Sequence, residues 1–169
     1  MADLWRALRA LDVKLLRLLR TRGHSAPVEL AVIRLAQSGE NGLIWHGIAA
    51  AGVAAHASKR HGYTRTMLIV LATLAVNTAL KQAVGRARPV LEEELPALVP
   101  VLSGRSYPSA HSSTSFAGAR ALSEVLPAPP LYALACAMAL SRPYLGVHYP
   151  SDILAGALLG DAVARLLTR

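Results

Sequence analysis

Cysteine is almost absent: Cys136 is the single one among 169 residues. No intrachain disulfide can form, and the chain cannot assemble a thiolate cage for zinc. Cys136 lies inside an apolar run and is expected as a buried, inert thiol. Aromatic residues are scarce as well, with one Phe, two Trp and five Tyr. No basic stretch is interleaved with aromatics, and no zinc-finger or Gly-rich RNA motif appears. Nucleic acid is therefore not an expected partner. Acid is in short supply: ten Asp and Glu stand against eighteen Lys and Arg, a formal charge of +8. That balance fits a basic surface facing water or lipid headgroups, or a site for an anionic substrate. The first residues lack the uninterrupted apolar core of a signal peptide, because Arg6, Arg9, Lys14, Arg17 and Arg20 divide them. No strand-like alternation and no internal repeat stands out.

Apolar side chains are what the chain has in quantity, at 53% of residues. Charge is sparse across the middle. The length suits one domain, and the composition suits an all-α integral membrane protein better than a soluble globule. Leu4, Leu8, Leu11, Leu15, Leu18 and Leu19 recur at helical spacing with basic residues opposite them. This reads as an amphipathic helix lying on an anionic membrane surface, with a soluble packing helix as the alternative. A second short periodic piece follows over residues 25–38. Residues 1–38 are thus expected as interfacial helices and residues 39–169 as a membrane-embedded core.

Five apolar segments make up that core, at about Asn41–Ser58, Thr66–Val84, Ser112–Leu126, Leu131–Leu140 and Ile153–Leu167. Each is expected as a helix of a membrane bundle. Several are short for a hydrocarbon core that needs about 20 apolar residues, so flanking residues or a thinned bilayer must compensate.

Polar residues gather at the segment ends in three clusters. The first is "KQAVGRARP". Lys81 and Arg88 are seven apart and share a face if the helix continues to Pro89, which stops it. The second is "YPSAHSS", with Ser109 and His111 where a helix should start. Ser109, Ser112 or Ser113 can cap it, and free amides there favour an anion. The third is "SRPYLGVHYPSD", where His148 and Asp152 are four apart, so one turn can bring the carboxylate to the imidazole. Taken singly, the cations can be ordinary flanking charges, His111 a capping residue and the His148–Asp152 pair a structural bond. Taken together, all three clusters fall on one face of a five-helix bundle. Two histidines, a carboxylate, a lysine and arginines make a site for a phosphate ester. The cations offset charge on the phosphoryl oxygens, one imidazole attacks phosphorus and the other protonates the leaving oxygen. The run Glu92–Glu94 reads as a solvated loop rather than a cation site.

The joint pattern resembles the three-part signature of the type 2 phosphatidic acid phosphatase superfamily, the lipid phosphate phosphatases related to vanadium haloperoxidases. The matching pieces are Lys81 to Arg88-Pro89, then Pro108-Ser109-Ala110-His111, then Ser141-Arg142 to His148 and Asp152. The resemblance spans roughly residues 40–168. It implies an α-helical bundle and hydrolysis of a lipid phosphate monoester or pyrophosphate through a phosphohistidine, with no metal and no cofactor. It casts His148 as nucleophile, Asp152 as its orienting partner and His111 as general acid. Lys81, Arg88, Ser109, Ala110 and Arg142 would bind the phosphate. The implied partners are a polyprenyl-linked or glycerolipid phosphate and membrane lipids, and the implied location is a bacterial cell membrane. One position departs from the family, which usually has Gly where this chain has Ala110. Ala there costs about 1 kcal/mol or more if the backbone needs positive φ. The stretch "LAQSGENGLIW" resembles the small actinobacterial branch that dephosphorylates decaprenyl-phosphoryl-ribose 5-phosphate. The alternatives are a non-catalytic membrane scaffold or transporter, and a haloperoxidase.

Two further expectations concern charge. Arg120 and Glu124 in the third segment match Asp161 and Arg165 in the fifth in depth and opposite sign. This suggests cross-helix pairs, with i,i+4 pairing as the alternative. The many cations before residue 23, against Lys59, Arg60 and Arg65 at the other face, favour a cytoplasmic N-terminus and a cytoplasmic active site.

Overall fold

The computed structural model describes residues 2–90, 97–100 and 104–168. Glu92–Glu94 therefore lie outside the described residues. The described chain forms α1 (Ala2–Thr21), α2 (Ala26–Ser38), α3 (Leu43–Ala55), α4 (Arg60–Val84), α5 (Ala110–Leu122), α6 (Ala128–Tyr144) and α7 (Pro150–Leu167). The five expected segments correspond to α3 through α7, and the two N-terminal helices to α1 and α2.

Helix α5 is the centre. Its sequence, "AHSSTSFAGARAL", is mostly small, and nearly every residue in it is buried. Small side chains let neighbouring backbones approach closely, which is how helices pack where lipid removes the hydrophobic drive. Helix α7 uses this most. A Cβ on Gly156 would come 2.6 Å from the Ser109 carbonyl oxygen, and one on Gly160 only 2.0 Å from that of Ser113. Trp45 of α3 lies over Gly118 in the same manner and donates its Nε1–H to Ser115 Oγ at 3.0 Å. Around Trp45 the core adds Tyr63, Val70, Leu122 and Leu131.

Among the described residues, one helix is long and apolar enough to cross a membrane by itself, over Ala57–Val84. Helices α3 and α5 have 13 residues each, or about 20 Å of rise. Large apolar side chains nevertheless face outward, including Leu68 and Leu71 on α4 and Leu154 and Leu158 on α7.

Several expectations are corrected. Helix α4 does not continue to Pro89. It ends at Val84 because Gly85 adopts the left-handed conformation (φ 65°) that closes a helix. Arg88 therefore shares no helical face with Lys81. It hangs from a loop held by the Ala87–Arg105 bridge and by its own N–H donating to the Gly104 carbonyl at 3.0 Å. Helix α6 runs to Tyr144, so Arg142 rides on its last turn with Pro143 inside that turn. Cys136 is exposed, because the inward row of α6 is Leu131, Ala135, Met138 and Arg142, and Cys136 falls about 100° off it.

The cross-helix ion pairs also fail. Helices α5 and α7 do pack against each other, but Arg165 Nε bonds Asp161 Oδ2 within α7 at 2.6 Å. Glu124 lies 3.7 Å from Arg65 of α4, and Arg120 Nε is buried without a hydrogen-bond partner among the described residues. Equal depth does not fix azimuth. The seam of α7 runs through Ile153, Gly156, Gly160 and Ala164, and Asp161 and Arg165 each sit about 100° around from it.

Helix α1 turns most of its leucines outward, not into the bundle. Its buried row is Asp12, Leu16 and Arg20, while Leu8, Leu11, Leu15 and Leu18 stay 38–51% exposed. That exposed apolar stripe beside basic residues suits a helix seated at a membrane surface.

Candidate active site

The sequence "YPSD" starts α7 and builds the acidic half of the site. Pro150 fills the first helical position, where no N–H is required. Asp152 stands at the third and accepts the Tyr149 backbone N–H on Oδ2 at 2.9 Å. Capping thus fixes the carboxylate before any partner is considered. Its other oxygen, Oδ1, accepts from Arg86 Nη1 at 2.8 Å. Asp152 is fully buried.

His148 sits in the loop between α6 and α7, shaped by Gly146 at φ 77°. The two faces of its ring meet different chemistry. Nδ1 lies 3.5 Å from Asp152 Oδ2. Nε2 lies 3.2 Å from Arg88 Nη1. A guanidinium has no lone pair, so Nε2 must accept and the ring proton belongs on Nδ1, toward Asp152. Burial, together with Arg88, Arg142 and Lys81, holds this imidazole well below its usual range. The ring is therefore neutral, with an unprotonated Nε2, at physiological pH.

His111 occupies the first turn of α5. Ser109 precedes it as the helix cap, and its side chain accepts the Ser112 N–H at the long distance of 3.5 Å. The fixing bonds come from elsewhere: Ser109 N–H donates to the Asp152 carbonyl at 3.0 Å, and Ser112 Oγ to that of Ile153 at 2.6 Å. These join the second cluster to the third. His111 Nε2 donates to the Ala36 carbonyl of α2 at 3.0 Å, with Glu40 Oε2 3.9 Å away. Ala110 is the first residue of α5. Among the described residues Asn41 is the one non-Gly residue at positive φ, so alanine at 110 is not strained.

Lys81, Arg142 and His148 all lie within electrostatic range of His111, and Lys81 also of Arg88 and Asp152. All eight residues expected from the sequence thus belong to one neighbourhood. Lys81 Nζ touches the Arg105 carbonyl only at 3.5 Å. Arg142 is buried, and its Nε bonds nothing among the described residues. A buried guanidinium N–H needs an acceptor, and an oxyanion is the natural one.

Sequence reasoning left Arg86 among the flanking cations and missed Asp12. Arg86 Nη2 donates to Asp12 Oδ2 at 2.8 Å, its Nη1 also reaches Ser151 Oγ at 2.7 Å, and its guanidinium stacks 4.1 Å from the Tyr149 ring centre. The signal in "GRARP" was the spacing itself: residues two apart on an extended stretch line one face, so an arginine two before Arg88 is a candidate for the same site. No local signal could have found Asp12.

A cleft of about 990 Å³ lies beside these groups, with Leu8, Leu11, Leu15, Val84, Val90 and Leu154 on its walls and Arg86, Arg88, Tyr107 and Tyr149 also lining it.

The model of the PAP2 superfamily matches residues 62–169. The chain is 36% identical to decaprenylphosphoryl-5-phosphoribose phosphatase of Mycolicibacterium smegmatis, over 72% of this chain and 67% of that protein. It is 33% identical to the protein of that name in Mycobacterium tuberculosis, over 83% and 80%. Among solved structures, Aquifex aeolicus LpxE superposes with a TM-score of 0.80 at 22% identity, covering 94% of each chain. A transmembrane PAP2-type phosphatidylglycerolphosphate phosphatase from Bacillus subtilis gives 0.77 at 22% identity, covering 96% of this chain and 85% of that one. With the family model matched across all three clusters and the fold shared with membrane phosphatases, the chain belongs to the PAP2 superfamily.

Proposed function

We propose that this lipid phosphate phosphatase works through a phosphohistidine formed on Nε2 of His148. The observation that carries the reading is the division of the His148 ring: Nδ1 toward Asp152 and Nε2 toward Arg88. A neutral imidazole with its lone pair aimed at a cluster of cations is a nucleophile pointed at phosphate. In the first step Nε2 bonds to phosphorus and the lipid-side P–O bond breaks. The leaving oxygen takes a proton from His111. Because His111 Nε2–H is held by the Ala36 carbonyl, Nδ1 is the nitrogen whose protonation changes. In the second step water attacks phosphorus, His111 takes the water's proton, and inorganic phosphate leaves His148. Asp152 stabilises the positive charge that His148 gains on phosphorylation. Lys81, Arg88 and Arg142, with the Ser109–Ala110 end of α5, receive the phosphoryl oxygens.

The substrate is proposed to be a polyprenyl-linked phosphate. Two relatives at 36% and 33% identity are named for decaprenylphosphoryl-5-phosphoribose, and the leucine-lined cleft beside the cations suits a long hydrocarbon chain. We further place the site on the cytoplasmic face of the cell membrane. It shares a side with the basic α1, which touches it through Asp12. A C-terminal reporter fusion tests this: activity on the far side of the membrane is expected, and cytoplasmic activity overturns it.

Purified protein offered decaprenylphosphoryl-5-phosphoribose, phosphatidylglycerol phosphate, phosphatidic acid and a polyprenyl pyrophosphate in EDTA tests the function. Phosphate release, greatest from the first and lost in His148→Ala, is expected. No release from any of them, with His148→Ala like wild type, favours a scaffold or transporter. Release that EDTA abolishes contradicts charge stabilisation by the cations alone.

A further inference from the structure

We infer that Asp12 of α1 is a positioning residue for the phosphatase reaction, and that the N-terminal helix completes the active site. This inference rests on the role proposed for His148 and Asp152.

Among the described side chains of α1, Asp12 is the acidic member of the buried row Asp12, Leu16 and Arg20. A buried carboxylate needs several donors to balance its lost hydration. Asp12 has them from three groups. Oδ1 accepts the backbone N–H of Ser151 at 2.9 Å. Oδ2 accepts from Arg86 Nη2 at 2.8 Å and from Ser151 Oγ at 2.5 Å. The Ser151 amide is one of the first-turn donors of α7 that have no partner within their own helix. A carboxylate from a different helix thus caps the helix that carries Asp152.

Charges alternate along the chain of contacts. Asp12 holds Arg86, and Arg86 Nη1 bonds Asp152 Oδ1 at 2.8 Å. Asp152 Oδ2 is then the oxygen left toward His148. Without Asp12, Arg86 would answer to Asp152 alone. The guanidinium would pull that carboxylate toward itself and neutralise more of its charge, weakening its hold on the imidazolium-like phosphohistidine. Ser151 would lose its anchor at the same time, and the first turn of α7 would be free to shift. Both effects act on the transition state more than on substrate binding, because neither Asp12 nor Ser151 is among the phosphate-binding groups.

The test is steady-state kinetics on full-length Asp12→Asn, Asp12→Glu and Asp3→Asn, with phosphatidic acid and decaprenylphosphoryl-5-phosphoribose as probes. Asp3 is the other acid of α1 and pairs with exposed Arg6, so Asp3→Asn controls for net charge and membrane attachment. Asp12→Asn is expected to lower kcat by roughly 10- to 100-fold with KM within about twofold. Asp12→Glu should recover part of that loss, and Asp3→Asn should match wild type. A wild-type kcat in Asp12→Asn, a loss confined to KM, or an equal loss in Asp3→Asn overturns the inference. If Asp12→Asn does not give monodisperse protein, Ser151→Ala decides. It removes the hydroxyl shared by Asp12 and Arg86, and a kcat reduced by about threefold or more at unchanged KM is expected; an unchanged kcat overturns the inference. His148→Ala run alongside separates the two levels. If it stays active the phosphohistidine reading itself fails, whereas an inactive His148→Ala beside an unaffected Asp12→Asn removes only the role of Asp12.

Discussion

Nδ1 of His148 faces Asp152 Oδ2 at 3.5 Å, while Oδ1 of the same carboxylate is bound by Arg86 at 2.8 Å. The carboxylate is therefore shared between a permanent cation and a ring that becomes cationic only when it is phosphorylated. Asp152→Asn keeps the size and one acceptor but removes the charge. It should lower kcat by about 10²–10⁴-fold with little change in KM, as expected for a lost orienting acid. Phosphate-release kinetics at saturating substrate check this. A kcat within twofold of wild type would show that Asp152 only caps α7.

The pH dependence has a definite sign. Burial and the nearby Arg88, Arg142 and Lys81 depress the His148 pKa. An unfolded histidine titrates near 6.5. Below that value the unfolded chain binds a proton at this position that the folded chain refuses, so His148 makes folding less favourable as pH falls. The nucleophile should stay neutral from pH 8 down through the ordinary histidine range. A nitrogen-15 histidine titration in micelles, with His148→Ala to assign the signal, should show no midpoint near 6.5 for this residue. A midpoint there would contradict the electrostatics described.

Glycine placement gives a contrast in stability. A Cβ on Gly160 would strike the Ser113 backbone at 2.0 Å, whereas one on Gly47 meets nothing within 4 Å. Backbone cannot step aside as a side chain can. Gly160→Ala should cost about 1–3 kcal/mol or more and lower the melting temperature. Gly47→Ala, in the middle of α3, should be neutral or stabilising by up to about 1 kcal/mol. Equal thermal shifts for the two would mean that α5 and α7 are not in this close contact.

The ion pairs make a negative prediction. Arg120→Asp combined with Asp161→Arg should restore nothing beyond the single changes, because Asp161 is engaged by Arg165 and not by Arg120. Arg65 and Glu124, at 3.7 Å and partly exposed, should show a coupling below about 1 kcal/mol in a double-mutant cycle.

What the sequence made legible follows from how local each feature is. His148 and Asp152 are one turn apart, and Ser109 and His111 start one helix, so spacing alone exposes them. The all-α class follows from apolar runs broken by Pro and Gly. Arg88 reaches His148 by a route the spacing does not suggest: the pattern reads as one helical face with Lys81, but Gly85 ends α4 and a loop carries the arginine. Depth-matched charges misled because helix contact depends on azimuth as well as rise, and Gly156 and Gly160 set the azimuth of α7. Asp12 was hidden for a different reason. Its partners Arg86 and Ser151 are 74 and 139 residues away, and its helix advertises leucines and cations rather than the row it buries.

The covalent intermediate tests the central claim most directly. Enzyme mixed briefly with substrate labelled in the terminal phosphate, quenched in alkali and digested, should carry label on the peptide containing His148. His148→Ala should carry none, and His111→Ala, which lacks both the acid of the first step and the base of the second, should gain and lose the label slowly. Turnover of substrate with no label on His148, or with label on another residue, would contradict the account.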